Sequence, residues 1–382
     1  MKTRAAICRE IGAPWVIEDV IIEDPGPRDV LVEMRCAGLC HSDEHVRLGD
    51  MGAPVPVVNR MGARDIVPFI GGHEGSGVVI DVGRNVQSVK PGDPVAMSFV
   101  PACGTCWSCV RGEQHLCDNG ARTLAGPMIH DKAWRHHTQD GAELNRMGAL
   151  GTFASHVLTD ERSVIKVEND VSLVSAALAS CGIATGFGSS VTRAGVQPGE
   201  VVVVVGCGGV GHGALIGASV AGARIVVAVE PSAYRRDSAL SNGATHAAAS
   251  LEEAMGLVRD ISWGRMADVV ILAVGIATGD LLAPALALVA KSGRLVLTAV
   301  APWKQRSVEL NMFDLTLFNK AILGSVYGST SPRQAIRRLT ELEREGRVDL
   351  ARLATHRYSL DDVNRGFEDM YSGSNVRGVI TF

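Results

Sequence analysis

Residues 200–230, EVVVVVGCGGVGHGALIGASVAGARIVVAVE, decide how the chain is read. Five consecutive valines show no alternation, so they suit a strand buried on both faces of a parallel sheet. Gly206, Gly208 and Gly211 follow at once in the spacing G-x-G-x-x-G, and an Ala-rich stretch of helical composition comes next. In that order the first glycine makes a tight turn, the second admits a pyrophosphate against the backbone, and the third lets helix and strand pack closely. The helix N-terminus adds N–H groups and a dipole that favour an anion. Glu230 closes the next run, RIVVAVE, about twenty residues on, where an acid accepts both hydroxyls of an adenosine ribose. The same carboxylate repels a 2′-phosphate, so the pattern predicts NAD rather than NADP. Arg235 and Arg236 stand just behind it, and arginines also serve a 2′-phosphate.

Outward from this stretch, DVVILAV and RLVLTAV repeat the continuous apolar runs between Ala-rich segments. They predict a doubly wound parallel sheet in an α/β architecture. Upstream, to about residue 180, DVLVEMRCAG, GSGVVIDVGRNV and GDPVAMSF are short runs broken by Gly and Pro, a pattern of antiparallel strands and turns. Downstream, SPRQAIRRLTELEREGRV reads as a helix and RGVITF as a last strand that returns to the first domain. The expected domains are residues 1–182, 183–327 and the return, 328–382, in keeping with a chain of 382 residues. GPMIHDKAWRHHTQDGAELNRMG has no periodicity and predicts a loop excursion, with His136 and His137 as solvated loop histidines.

The net charge of −4 gives no basic surplus that would argue for nucleic acid or an anionic membrane. No apolar run approaches the ~18 residues that a membrane helix needs. MKTRAAICREIGAP lacks the apolar core of a secretory signal, so the expectation is a cytoplasmic chain with reduced thiols. That decides how PACGTCWSCVRGEQHLC, residues 101–117, is read. Nine cysteines, an odd number, argue against a disulfide framework in such a chain. The spacing C-x2-C-x2-C-x7-C of Cys103, Cys106, Cys109 and Cys117 brings four thiolates to one tetrahedral ion. Zinc suits it, being borderline soft and free of redox chemistry, and four protein ligands leave no open position. Such a site braces a lobe. Cys8, Cys36 and Cys207 have no such neighbours and read as small buried hydrophobes.

Other groups with chemistry are scattered. GLCHSDEH offers Cys40, Ser42, Asp43 and His45; GGHEGSG offers His73 and Glu74; SCGIATGFG offers Cys181. Two thiolates and an imidazole would leave a fourth zinc position open for catalysis. Spacing alone does not pair residues this far apart, and each one singly also fits a satisfied core group.

CHSDEH, GGHEGSGVVIDVGRNVQSVKPGDPV, the four-cysteine lobe, SCGIATGFGSSV, GCGGVG and VRGVITF together run almost end to end. By these pieces the chain resembles the zinc-dependent medium-chain alcohol dehydrogenases. SFVPACGTCWSCVRGEQHLCDNGA and GALGTFASH resemble, more closely, the actinobacterial nitrosodimethylaniline-dependent branch. Its members are nicotinoproteins, which hold NAD(H) through the catalytic cycle. The resemblance implies a GroES-like β-rich catalytic domain, a Rossmann domain, two zinc ions per chain and hydride transfer from an alcohol to NAD.

Residue by residue, it implies Cys40, His73 and Cys181 as ligands of the catalytic zinc and the four lobe cysteines as ligands of the structural one. Ser42 and His45 fall on proton-relay positions, Asp43 on the carboxylate that orients the ligand histidine, and Glu74 on the acid beside the metal. The implied cofactor contacts are His41, Thr185, Gly206, Gly208, Gly209, Val210, Gly211, Glu230, Arg235, Val300 and Arg377. His41 and Arg377 lie at the phosphate positions and Thr185 on the nicotinamide side. Phe99 and Met147 are candidate apolar walls of the alcohol pocket, core packing being the other reading. His41 stands where an arginine is common, and residues 50–70 run longer than in many relatives. A homo-oligomer, dimer or tetramer, is expected, acting on a small alcohol or aldehyde. The alternatives are a thiol-adduct formaldehyde dehydrogenase, a zinc-free reductase lacking Cys40, His73 and Cys181, and a non-catalytic zinc- and nucleotide-binding protein.

Overall fold

Valines 201–205 form the strand Val201–Val205, and every one of them is buried. In the computed structural model, which describes residues 1–50, 66–120, 126–302 and 304–382, this strand lies inside a six-stranded parallel sheet. The order across the sheet is His246–Ala248, Ile225–Val229, Val201–Val205, Ala267–Leu272, Val289–Leu297, Ala321–Gly324. Strand parity then divides the run. Val201, Val203 and Val205 enter one core with Val227, Val270 and Leu295, whereas Val202 and Val204 enter another with Val226, Ile271 and Val296. Two cores, one on each face, are what β-branched residues without alternation require. Helix Gly209–Val220 contributes Ala214, Leu215 and Ala218 to the second core. The strand order reverses between Val201–Val205 and Ala267–Leu272, which is the switch point where such sheets bind ligands.

The chain divides into two compact units, Gly182–Thr330 with Gly373–Val376 forming the one just described. The other consists of Met1–Cys181, Ser331–Ser372 and Arg377–Phe382. In it the strand Asp29–Gly38 is the hub of a seven-stranded sheet. It pairs antiparallel with Gly75–Val82, His156–Asp160 and Arg377–Thr381. A second, five-stranded sheet is built on Lys2–Cys8 and Val16–Ile22. Trp15 sits among Phe69, Phe153 and Phe367, with ring centroids 5.7, 5.8 and 6.1 Å away. Helix Pro332–Arg344 begins on a proline, which has no N–H to leave unpaired, and buries Ala335, Ile336, Leu339 and Leu342 at helical spacing.

Cys8, Cys36 and Cys207 are buried, and burial pushes the Cys8 and Cys36 thiols up to about 11 and about 12. His136 departs from the expected solvated loop. It forms a two-residue strand with His137, opposite Ile22, and is 2% exposed. Pairing imposes alternation, so His136 turns inward and is held neutral by burial, while His137 turns out to Glu23 at 2.9 Å. Of residues 50–70, residues 51–65 lie outside the described ones. Among the described residues no helix is long and apolar enough to cross a membrane.

Candidate active site

Helix His41–Leu48 starts directly after Cys40 and carries Ser42, Asp43 and His45. Eight residues make too short a helix to stand alone, so tertiary ties aim it. Asp43 is fully buried; its Oδ1 accepts from Gly72 N at 3.0 Å and faces His73 Nδ1 at 3.0 Å. With Nδ1 engaged, Nε2 is the atom left for a metal. Glu44 and Arg47, passed over in the sequence, fix the same helix from its other side. Arg47 grips Glu44 through Nε and Nη2, each at 2.6 Å, and Trp15 Nε1 donates to the same carboxylate at 3.2 Å. An acid followed by a base three residues on, within a helix, was the available signal.

One ligand atom from each of Cys40, His73, Glu74 and Cys181 lies within 4.8 Å of the others, and all four residues are buried. The hydrogen bond with Cys181 holds the Cys40 thiol well below its ordinary range, and His73 adds to this. The same bond pushes Cys181 well above it. Burial lowers the His73 imidazole, but Asp43 and Cys40 outweigh it and raise the ring well above the usual value. A divalent cation among these donors would let both thiols ionise together. The donor set fits zinc.

Around this cluster, Glu74 is paired with the buried Arg377. Ser42 Oγ lies 3.8 Å from Cys40 Sγ, and His45 Nδ1 lies 3.4 Å from Asp50 Oδ2. The His41 ring is 6.4 Å from that of His45 and meets Tyr371 edge-on at 5.7 Å. Phe99 meets His73 edge-on at 5.5 Å, while Met147 belongs to the hydrophobic core.

The four-cysteine lobe is a second donor set, its sulfurs also within 4.8 Å of one another. Four sulfurs at 2.3 Å from a tetrahedral centre stand about 3.8 Å apart. Here Cys103–Cys109 and Cys106–Cys117 are each 4.0 Å. Backbone N–H groups of Cys103, Cys106 and Asp118 point at these sulfurs at 3.3, 3.4 and 3.5 Å, as anionic thiolates require. Burial works against ionisation, yet donors from Thr105 and Cys106 hold Cys103 at about 6; Cys109 is pushed by burial to about 12. Gly104 and Gly112, both at positive φ, wrap the chain around the set.

In the other unit, Gly206 has φ +88°, and a Cβ there would press on the backbone of residues 273 and 274 at 2.9 Å. A Cβ on Gly211 would come within 1.9 Å of the Gly206 carbonyl oxygen, whereas one on Gly208 would meet nothing within 4 Å. The turn is closed on two sides and open at its middle glycine, which fits a pyrophosphate. Gly209 and Val210 begin helix Gly209–Val220 without a side-chain cap, leaving their N–H groups for an anion. Glu230 is 6% exposed; Oε2 accepts from Cys207 N at 2.9 Å and Oε1 from Ser232 N at 3.0 Å. Arg235 Nε donates to Asn375 O at 2.9 Å, and Arg236 Nη1 to the carbonyls of Glu230 and Pro231 at 2.7 Å. Thr185 is buried in helix Gly182–Gly188, and the Val300 carbonyl accepts from Ala277 N at 3.0 Å.

Residues 26–169 match the alcohol dehydrogenase GroES-like domain, and residues 209–342 match the zinc-binding dehydrogenase domain. The chain belongs to the zinc-dependent alcohol dehydrogenase family, enzymes of α/β architecture with a GroES-like and a Rossmann domain. It is 41% identical to the NDMA-dependent alcohol dehydrogenase of Amycolatopsis methanolica, an alignment covering 100% of this chain and 99% of that one. Alcohol dehydrogenase B of Mycobacterium tuberculosis (strain ATCC 25618 / H37Rv) is 40% identical over the same shares. Among solved structures, an alcohol dehydrogenase zinc-binding domain protein from Burkholderia ambifaria superposes with a TM-score of 0.89 at 30% identity. Benzyl alcohol dehydrogenase from Acinetobacter calcoaceticus gives 0.87 at 27%; each covers 100% of this chain and 99% of the other.

Proposed function

We propose that this chain oxidises a small alcohol to an aldehyde or ketone by hydride transfer to NAD. One zinc would be held by Cys40, His73 and Cys181 and a second by Cys103, Cys106, Cys109 and Cys117. The observation that carries the reading is the buried meeting of two thiols, an imidazole and a carboxylate, with Asp43 fixing the imidazole. The unit containing them is the catalytic domain, and the unit with the glycine loop is the NAD-binding domain. When bound, zinc lowers the pKa of an alcohol hydroxyl and the nicotinamide accepts the hydride.

The side chains do the rest. Cys40, His73 and Cys181 orient the alcohol oxygen, and Phe99, edge-on to His73, walls its carbon side. Ser42 Oγ takes the hydroxyl proton and passes it toward His45. The buried His45 hands it on through Nδ1 to the more exposed Asp50. No charged base then has to sit in the apolar pocket. Arg377 neutralises Glu74 beside the ligands, and the Gly206–Gly211 loop with Glu230 orients the dinucleotide. The 41% identity to an NDMA-dependent enzyme supports a cofactor retained between turnovers. The nine cysteines, none of them in a disulfide, support reducing, cytoplasmic surroundings.

The test is alcohol oxidation by His45→Ala across pH 6–9, with NAD⁺ or an artificial acceptor. General-base help is worth about 10²–10⁴-fold, so the variant should be slow at low and neutral pH and partly rescued by a buffer base. A profile identical to the parent's would remove His45 from the proton path.

A further inference from the structure

His212 follows the last glycine of the loop directly and is fully buried. Its Nδ1 lies 3.1 Å from the Gly208 carbonyl oxygen, and the ring also engages the carbonyl of Cys207. Its Nε2 lies 2.9 Å from Ser238 Oγ in helix Ala233–Ser241. Carbonyls only accept, so Nδ1 carries the proton, Nε2 is bare, and the Ser238 hydroxyl donates to it. Burial pushes the imidazole below the usual histidine range and so preserves this neutral tautomer.

In a trans peptide the C=O and the following N–H point to opposite sides. Drawing the carbonyls of Cys207 and Gly208 toward the buried ring therefore turns the N–H groups of Gly208 and Gly209 the other way. Gly208 borders open space, and Glu230 pins the same segment through Cys207 N. The ring thus acts on the two peptide planes that the glycine spacing leaves most free. We infer that His212 is a positioning residue of the nucleotide loop, holding from behind the peptides whose N–H groups meet an anionic pyrophosphate. This rests on the proposal that the loop binds NAD.

ADP and adenosine separate the two ideas, because both present the ribose and only ADP presents the pyrophosphate. Calorimetric titration of the whole chain, stripped of cofactor, should give tighter binding of ADP than of adenosine. In His212→Leu the ADP affinity should fall about tenfold, the scale of one lost hydrogen bond to a charged site, with adenosine unchanged within about twofold. Ser238→Ala should move ADP in the same direction by less, and His212→Asn, which keeps an N–H donor, should recover part of the loss. If His212→Leu does not fold, the Ser238→Ala and His212→Asn pair carries the same comparison. ADP and adenosine falling together, or neither falling, would mean that His212 only fills the core, and the inference is overturned. A parent that binds ADP no better than adenosine would instead overturn the nucleotide reading beneath it.

Discussion

Glu230 brings one negative charge to a carboxylate already steered at both oxygens by Cys207 N and Ser232 N. Four lone-pair sites leave room for a ribose diol, and charge-assisted hydrogen bonds are the strong kind. A 2′-phosphate would remove one donor and set about two negative charges against the carboxylate. Two unit charges 4 Å apart repel by roughly 4 kcal/mol at an effective dielectric of 20. Even after heavy discounting, a preference for NAD on the order of a hundredfold remains, at about 1.4 kcal/mol per decade. Arg235 and Arg236, the two cations that could serve a 2′-phosphate, are both engaged with backbone carbonyls, Arg235 with Asn375 O and Arg236 with those of Glu230 and Pro231. Glu230→Ala should weaken NAD and collapse the NAD-to-NADP binding ratio, measured on stripped protein; an unchanged ratio would exclude Glu230 as the ribose acid. Residues such as Gly206, Gly208, Gly211 and Glu230 were legible because they lie in one stretch, at fixed spacing from two strands of one sheet. Cys40, His73 and Cys181 come from three separate segments, so spacing could not join them and only the family likeness did. His212 was invisible, since a histidine facing two carbonyls looks in sequence like any helical residue.

At the scale of elements, parity and spacing carried the most information. The valine run read as a doubly buried strand because both of its faces meet apolar cores. The two-residue strand His136–His137 is shorter than any period, so nothing local could announce it. The cysteine lobe is the opposite case: its short helix Trp107–Val110 and the 3₁₀ turn Gln114–Leu116 contain little that would hold them without a metal. Trp107 and Val110 are largely exposed, so burial supplies little of the lobe's stability. A closed four-thiolate site contributes its binding free energy directly to folding. Cys103→Ser should therefore lower the melting temperature and halve the zinc content while the Cys181→Ser variant loses turnover first. Equal heat stability of Cys103→Ser and parent, with zinc unchanged, would remove the structural role from the lobe.

At the scale of the whole molecule, each unit has its own core and its own proposed chemistry, donors in one and the glycine loop in the other. Native mass spectrometry should find two zinc ions and near one NAD(H) per chain in an oligomer of identical chains. Protein that arrives without cofactor, and needs free NAD⁺ for turnover, would place it among exchanging dehydrogenases.

The strand Arg377–Thr381 has a consequence for how the molecule is made. It pairs with Asp29–Gly38 on one side and Ala354–Tyr358 on the other, and its first residue supplies the partner of Glu74. Synthesis runs from the N-terminus, so in a nascent chain His156–Asp160 can cover the Asp29–Glu33 half of one edge early, while the Cys36–Gly38 end stays open until Arg377–Thr381 is made. An open edge is a template for mispairing. Glu74 meanwhile waits, without Arg377, beside two thiols and a histidine. The donor cluster thus gains the Arg377 charge only after the valine-rich sheet has emerged.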